Sequence, residues 1–202
     1  LNNNNSYNDI ESFTLAQTFP FATSLARTSN RNNNFNFNND VDIDLKLDSL
    51  GSNWKNEFTF NINNSKSRQH YDNILLQPID TSLAGNGLTK SPRHYFAWES
   101  DLVKKTGKLT IEAGGKFSSS KLNSDADFTI TQNANTVPDR TKTAEFVHHE
   151  KISSLYLQLS RKFGGLSVKP GIRMEHTDMR GNELTYDTGF SIRRIDFFPY
   201  VY

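Results

Sequence analysis

Apolar side chains recur at every second residue over three separate stretches of this chain, and that period limits the fold more than any other feature. From Phe35 one parity reads Phe35, Phe37, Val41, Ile43, Leu45 and Leu47, while the other carries Asn36, Asn38, Asp42, Asp44 and Lys46. Successive strand side chains point to opposite faces, so the spacing predicts a strand with one apolar and one strongly polar face. After the turn Asp48-Ser49-Leu50-Gly51-Ser52, Phe58, Phe60 and Ile62 alternate with Glu57, Thr59, Asn61 and Asn63, which completes a hairpin.

The unit recurs twice. Phe96, Trp98 and Leu102 alternate with Glu99 and Asp101, turn at Lys104-Lys105-Thr106-Gly107, and return as Leu109, Ile111, Ala113, Gly115 and Phe117 against Thr110, Glu112, Gly114 and Lys116. Leu155, Leu157 and Leu159 alternate with Tyr156, Gln158 and Ser160, turn at Phe163-Gly164-Gly165, and return as Leu166, Val168, Ile172 and Met174 against Ser167, Lys169, Arg173 and Glu175. A last strand is expected at about 192–202. Pro170 lies on an apolar parity, and because proline removes a ladder donor it predicts a bulge or an edge there. The fold class is therefore all-β, an antiparallel up-and-down meander of about seven or eight long strands, with hairpins at about 35–67, 93–121 and 145–178. Residues 1–34, with Asn2 to Asn5 and Asn30 to Asn34, read as an Asn-rich external loop or tail, with at most a short strand near Ile10 to Ala16.

The connections narrow the class. Turns inside hairpins are short, whereas the links 68–92, 122–144 and 178–191 are long and rich in Asn, Asp, Thr, Gly and Pro, a loop composition. Compact soluble domains rarely carry structureless loops of that length. Outer-membrane barrels do, alternating short periplasmic turns with long external loops. The strands, at about ten to thirteen residues, exceed the usual five or six and match the roughly nine to eleven of a tilted membrane strand. Only 35% of residues are hydrophobic, and mean hydropathy is −0.67. No run approaches the ~18 apolar residues of a membrane helix. A barrel wall that wets half of every strand accounts for both facts. With the apolar parity on lipid, Asp42, Asp44, Lys46, Glu57, Glu99, Asp101, Glu112, Lys116, Arg173 and Glu175 line a hydrated interior. Trp54 and Phe163 then sit at short turns, where an aromatic girdle belongs. The alternative is a soluble extracellular β-sheet binding domain with the apolar parity turned inward.

A resemblance follows from the third hairpin. The run from Lys151-Ile152-Ser153-Ser154-Leu155-Tyr156-Leu157 through Gln158-Leu159-Ser160-Arg161-Lys162-Phe163-Gly164 resembles the barrel of TonB-dependent outer-membrane receptors, and more narrowly an outer-membrane β-barrel family common in Bacteroidetes. Gly171-Ile172-Arg173-Met174-Glu175-His176-Thr177 and the strand entering at Phe197-Phe198-Pro199-Tyr200 match the same pattern, with weaker likeness at Asp48 to Trp54 and Gly107 to Phe117. The resemblance covers about residues 35–202. It implies the bacterial outer membrane, lipid on the outer wall, and a barrel of about 22 strands around a plug. It further implies a TonB-type periplasmic energy coupler, and import of a scarce ligand captured by external loops. Seven or eight strands are then an internal piece of such a barrel. A complete eight-stranded barrel is the other way to close this many strands.

Catalytic and metal chemistry find little to hold. His148-His149-Glu150 places neighbours on opposite strand faces, and His70, His94 and His176 are remote in sequence, so all five read as solvated strand-end histidines. Gly85-Asn86-Gly87-Leu88-Thr89-Lys90 lacks the full phosphate-loop spacing and a following helix, and reads as a flexible loop tip. Glu99, Asp101 and Glu112 read as structural ion-pair partners rather than an acid–base pair. Ser153 and Ser154 lack a nucleophile elbow. An outer-membrane barrel enzyme needs a polar triad at one rim, and none is visible, so the chain reads as a non-enzyme without catalytic, cofactor or metal residues. Zero cysteines remove thiolate chemistry, and 23 basic against 22 acidic residues give no field for nucleic acid. Ligand contacts are expected in 68–92 and 122–144, with no single residue singled out.

Overall fold

The computed structural model describes residues 2–16, 22–77, 81–132 and 135–202. The described residues form one antiparallel sheet of ten strands: β1 (Asn2–Ala16), β2 (Ala22–Lys46), β3 (Asn53–Gln77), β4 (Thr81–Thr106), β5 (Leu109–Gln132), β6 (Asn135–Pro138), β7 (Ala144–Phe163), β8 (Leu166–Val168), β9 (Pro170–Glu183) and β10 (Thr188–Val201). Eight long strands lie in the order β1-β2-β3-β4-β5-β7-β9-β10, so each pairs with its neighbour in sequence, while β6 and β8 are short additions on β5 and β7. Among the described residues no pairing joins β1 to β10.

The short turns fall where the sequence places them. Each contains a glycine with positive φ, Gly51 at 86°, Gly107 at 58° and Gly164 at 62°, a conformation that costs other residues far more. At the first turn Asp48 accepts from the amides of Leu50 and Ser52 and from Lys104 Nζ. These bonds hold the Asp48 carboxyl well below its ordinary range, the Lys104 contact most strongly.

The other ends differ from the sequence reading. β3 runs to Gln77, and β4 takes up again at Thr81, so most of 68–92 is paired strand; β5, β6 and β7 cover most of 122–144 in the same way. β9 and β10 leave only 184–187 as their turn. Residues 1–34 are also largely strand, because β1 pairs with β2 along its whole length from Asn2↔Asn36 to Ala16↔Ala22. The expected external loops are thus the outer arms of the hairpins. The reason is geometric. A strand of 25 residues is about 80 Å long at ~3.3 Å per residue. Crossing ~30 Å of hydrocarbon at a 45° tilt uses only about half of that. Beyond lipid both faces meet water, so the outer arms carry no apolar period and look like loops.

Pro170 makes no bulge. The β7 register is the same on either side of it, with Arg161↔Val168 and Gln158↔Gly171, and the missing donor simply interrupts the ladder between β8 and β9.

Opposed residues in antiparallel strands share a face, so the apolar parity runs across the sheet from β2 to β10. One row reads Val41, Phe58, Trp98, Phe117, Ser153, His176, Ile195, and another Leu45, Trp54, Leu102, Ala113, Leu157, Ile172, Pro199. The apolar band starts at Phe37 on β2 but at Leu155 on β7, three rows nearer the short turns. That shift is about 20 Å along the strands over roughly 19 Å across them. The resulting slope near 45° agrees with the ~35–45° strand tilt of membrane barrels.

No second layer covers this face among the described residues. Among the described residues the buried apolar ones are Tyr71 and Ala97, while Leu155, Ile195 and Phe197 are 60%, 59% and 62% exposed. A soluble sheet would bury that parity against protein. Contiguous exposure on this scale marks a surface that meets lipid or a partner.

On the polar face, aromatic rings lie over glycines of the adjacent strand. Tyr71 faces Gly85, Phe128 faces Gly87, Tyr156 faces Gly114, Phe190 faces Gly181 and Tyr200 faces Gly171. A Cβ on Gly114 would stand 2.4 Å from Asp101 Oδ1, 2.6 Å from the Ser100 carbonyl and 2.6 Å from Tyr156 Cε1. Gly114→Ala is therefore expected to lower the stability of the intact protein by about 1–3 kcal/mol, as overpacking does. Loss of the heat-modifiable folded band at a lower temperature is the measurement that checks it.

Candidate functional site on the polar face

All ten residues assigned to the interior from parity lie on one face. Asp42, Glu57, Glu99, Lys116, Ser154, Glu175 and Asp196 form a single cross-sheet row. The next row toward the short turns is Asp44, Lys55, Asp101, Gly114, Tyr156, Arg173 and Phe198, and Lys46 and Glu112 belong to the one after.

Opposite charges meet along these rows. Lys116 Nζ donates to Glu99 Oε2 at 2.7 Å, and Lys55 lies 3.4 Å from Glu57 and 4.0 Å from Asp42. Arg173 bonds Glu175 at 2.8 Å. Gln158 donates to Glu112 at 3.1 Å, and the Tyr156 hydroxyl reaches across Gly114 to Asp101 at 2.6 Å. Each carboxylate considered for acid–base work, Glu99, Asp101 and Glu112, thus has a structural partner. Lys55 escapes the sequence assignment because Asn56 interrupts the apolar parity between Trp54 and Phe58.

Above the charged rows the wall is mostly amide and hydroxyl groups, with Arg93 among them. Along β2 and β3 an amide and hydroxyl ladder links Asn63 to Asn36, Ser65 to Asn34 at 2.8 Å, Ser67 to Asn32 at 2.6 Å and Gln69 to Asn30 at 3.1 Å. A cavity of about 580 Å³ opens beside it, with Asn38, Asn61, Asn63, Arg93 and Tyr95 among its lining. It draws on the segments 68–92 and 122–144 only at Ser91 and Leu122. Sequence reasoning missed it because asparagine-rich stretches have the composition of loops; the signal present was the alternation of Asn36 and Asn38 with Phe35 and Phe37.

The outer connectors are tied to one another. Asp139 accepts from the amide and hydroxyl of Thr141, and the hydroxyl bond in particular holds its carboxyl below the ordinary range. Lys142 of the same turn stands 4.3 Å over the Tyr71 ring, so this connector folds across the polar face. Tyr186 in the β9–β10 turn donates to the Arg140 carbonyl.

Gly85-Asn86-Gly87 is not a loop tip. It lies within β4, where both glycines make room for aromatic rings. Among the histidines, His70 contacts Asn86 and Asp72, and His148 packs against Phe146 and Phe190. Among the described residues no three His, Cys, Asp or Glu side chains gather as metal ligands. On the apolar face Trp54 donates to Ser100 at 2.9 Å, and Arg161 stands 4.9 Å over the Phe163 ring, both beside short turns.

The model of the Outer membrane protein beta-barrel family matches residues 45–202. No curated protein matches the chain. Among solved structures, the unliganded ferric citrate transporter FecA is 11% identical with a TM-score of 0.39, covering 98% of this chain and 39% of that one. The siderophore receptor PiuA from Acinetobacter baumannii is 11% identical with a TM-score of 0.36, at 98% and 39% coverage. The ferric preacinetobactin receptor BauA from Acinetobacter baumannii is 10% identical with a TM-score of 0.39, at 98% and 40%. The chain spans about two fifths of the length of the structures it matches.

The Asp139 geometry has a pH signature. A carboxyl with a depressed folded pKa stabilises its turn above the ordinary aspartate pKa of ~3.9 and stops doing so as pH falls through the folded value. Amide protection at Thr141, Lys142 and Thr143, corrected for intrinsic exchange, is expected to hold above about pH 4 and fall below it. In Asp139→Ala it is expected to be low at every pH in hydrogen-exchange measurements.

Proposed function

We propose a function from the premise that the chain belongs to the outer membrane protein beta-barrel family: it forms part of the wall of a TonB-dependent receptor that imports a scarce ligand across the bacterial outer membrane. The observation that carries the reading is the pairing of two unlike faces on one uncovered sheet. Leu155, Leu157, Ile172, Ile195 and Phe197 are exposed on one side, while the Asp42–Asp196 row of charged and polar groups lines the other. Such a sheet is stable where lipid bathes one face and water the other.

The chain's share in transport is mechanical. The apolar band anchors the wall and the charged rows give a wet inner surface. The outer arms, with the amide-rich cavity at Asn38, Asn61 and Arg93, present a place for ligand above the membrane. A plug domain and a TonB-type periplasmic coupler complete this reading, and passage of a ligand rather than its chemical conversion is the output. The partnering of Glu99, Asp101 and Glu112 supports transport over catalysis.

Two measurements on the intact protein test the proposal. It is expected to fractionate with outer membranes, to need detergent for extraction, and to bind the purified periplasmic domain of a TonB-type coupler. Recovery as a detergent-free soluble monomer would contradict the membrane reading; detergent-dependent protein that ignores the coupler domain would contradict energised import.

A further inference from the structure

Charge is unevenly distributed between the two ends of the sheet. The short-turn segments 47–52, 104–108 and 161–169 carry six basic residues, Lys104, Lys105, Lys108, Arg161, Lys162 and Lys169, against one acid, Asp48. At the opposite end, segments 66–92, 121–145 and 178–191 hold seven basic and nine acidic residues. Lys104 pairs with Asp48 at 2.8 Å, and among the described residues the other five make no ion pair. Exposed apolar side chains are interleaved with these cations: Leu50 is 64%, Phe163 55% and Leu166 64% exposed.

A groove of about 510 Å³ opens on the apolar face above this rim. Its floor is made of the small residues Ser100, Ala113 and Gly115, and its sides of Trp98, Phe117 and Leu155. The face of β4 that lines it continues from Trp98 through Ser100 and Leu102 to Lys104. That run is about 20 Å along the strand. At a 45° tilt it descends roughly 14 Å, close to the depth of one leaflet of a ~30 Å hydrocarbon core.

We infer that the groove and the basic short-turn rim together bind an anionic phospholipid of the adjoining leaflet, with an acyl chain along Ser100, Ala113 and Gly115 and the headgroup phosphate near Lys104 and Arg161, the rim cations on the groove's side of the sheet, and Lys108 in the turn between β4 and β5. An apolar trough that ends in cations fits a ligand with a hydrocarbon tail and a negative head. Basic residues at a membrane surface attract anionic headgroups, while neighbouring apolar side chains enter the interface. A soluble acidic partner would leave Leu50, Phe163 and Leu166 in water and the groove unfilled. The inference rests on the membrane reading above, which detergent-dependent fractionation tests separately.

The test is native mass spectrometry of the intact detergent-purified protein, titrated with phosphatidylglycerol or phosphatidylcholine. Phosphatidylglycerol is expected to be retained preferentially. Removing rim charge on the groove's side of the sheet and in the β4–β5 turn with Lys104→Gln, Lys108→Gln and Arg161→Gln should weaken its retention about fivefold per charge, roughly a hundredfold together. Ala113→Leu, which fills the groove, should lower retention of both lipids while the protein still fractionates with the outer membrane. Equal retention of the two lipids by the unaltered protein would overturn the inference, as would undiminished phosphatidylglycerol binding in the triple variant. Displacement of the lipid by glycerol 1-phosphate alone would also overturn it, by assigning the rim to free phosphate.

Discussion

The ladder of backbone hydrogen bonds is the interaction on which this molecule depends. Among the described residues no layer covers the sheet and only Tyr71 and Ala97 are buried apolar residues, so its stability cannot come from a core. Instead, each inner strand satisfies its N–H and C=O groups through neighbours on both sides, the requirement that hydrocarbon imposes on any chain crossing it. Once the ladder is complete, side chains need only suit the solvent on their own face. Leu155 and Ser154 are adjacent, yet one is 60% and the other 8% exposed.

The inner face solves a different problem. Charges facing a wet interior must avoid lone desolvation, and they do so by pairing across strands, as Lys116 does with Glu99. Where an aromatic ring must lie flat on that face, the neighbouring strand supplies a glycine, as Gly114 does for Tyr156. The five ring-over-glycine pairs all belong to the polar parity, where space is set by the neighbouring strand rather than by yielding lipid.

Legibility in the sequence followed the solvent. Where lipid meets one face, the period of two is forced, and residues such as Val41 to Leu47 and Leu155 to Leu159 revealed strand, face and partner. The short turns were equally clear, because Gly51, Gly107 and Gly164 adopt positive φ. The outer arms were not legible. Asn30 to Asn34 pair with Ser65 to Gln69 in water on both sides, so no alternation of hydropathy is required of them. Gly85 and Gly87 looked like loop residues because the reason for them, Tyr71 and Phe128 opposite, lies more than ten residues away. The charged inner rows were predicted by parity, but the amide-rich cavity above them depended on register between strands that composition had assigned to loops.

The central claim is that one sheet separates two solvents residue by residue. These 202 residues contain no cysteine, so single spin labels can be placed along β7 of the intact protein in lipid bilayers, from Ser153 to Phe163, once any cysteine outside them has been replaced. Collision with oxygen, which concentrates in lipid, is predicted to peak at positions 155, 157 and 159. Collision with a water-soluble nickel chelate is predicted to peak at 154, 156 and 158, a period of two in opposite phase. The same accessibility at both parities, or oxygen maxima at the even positions, would contradict the account.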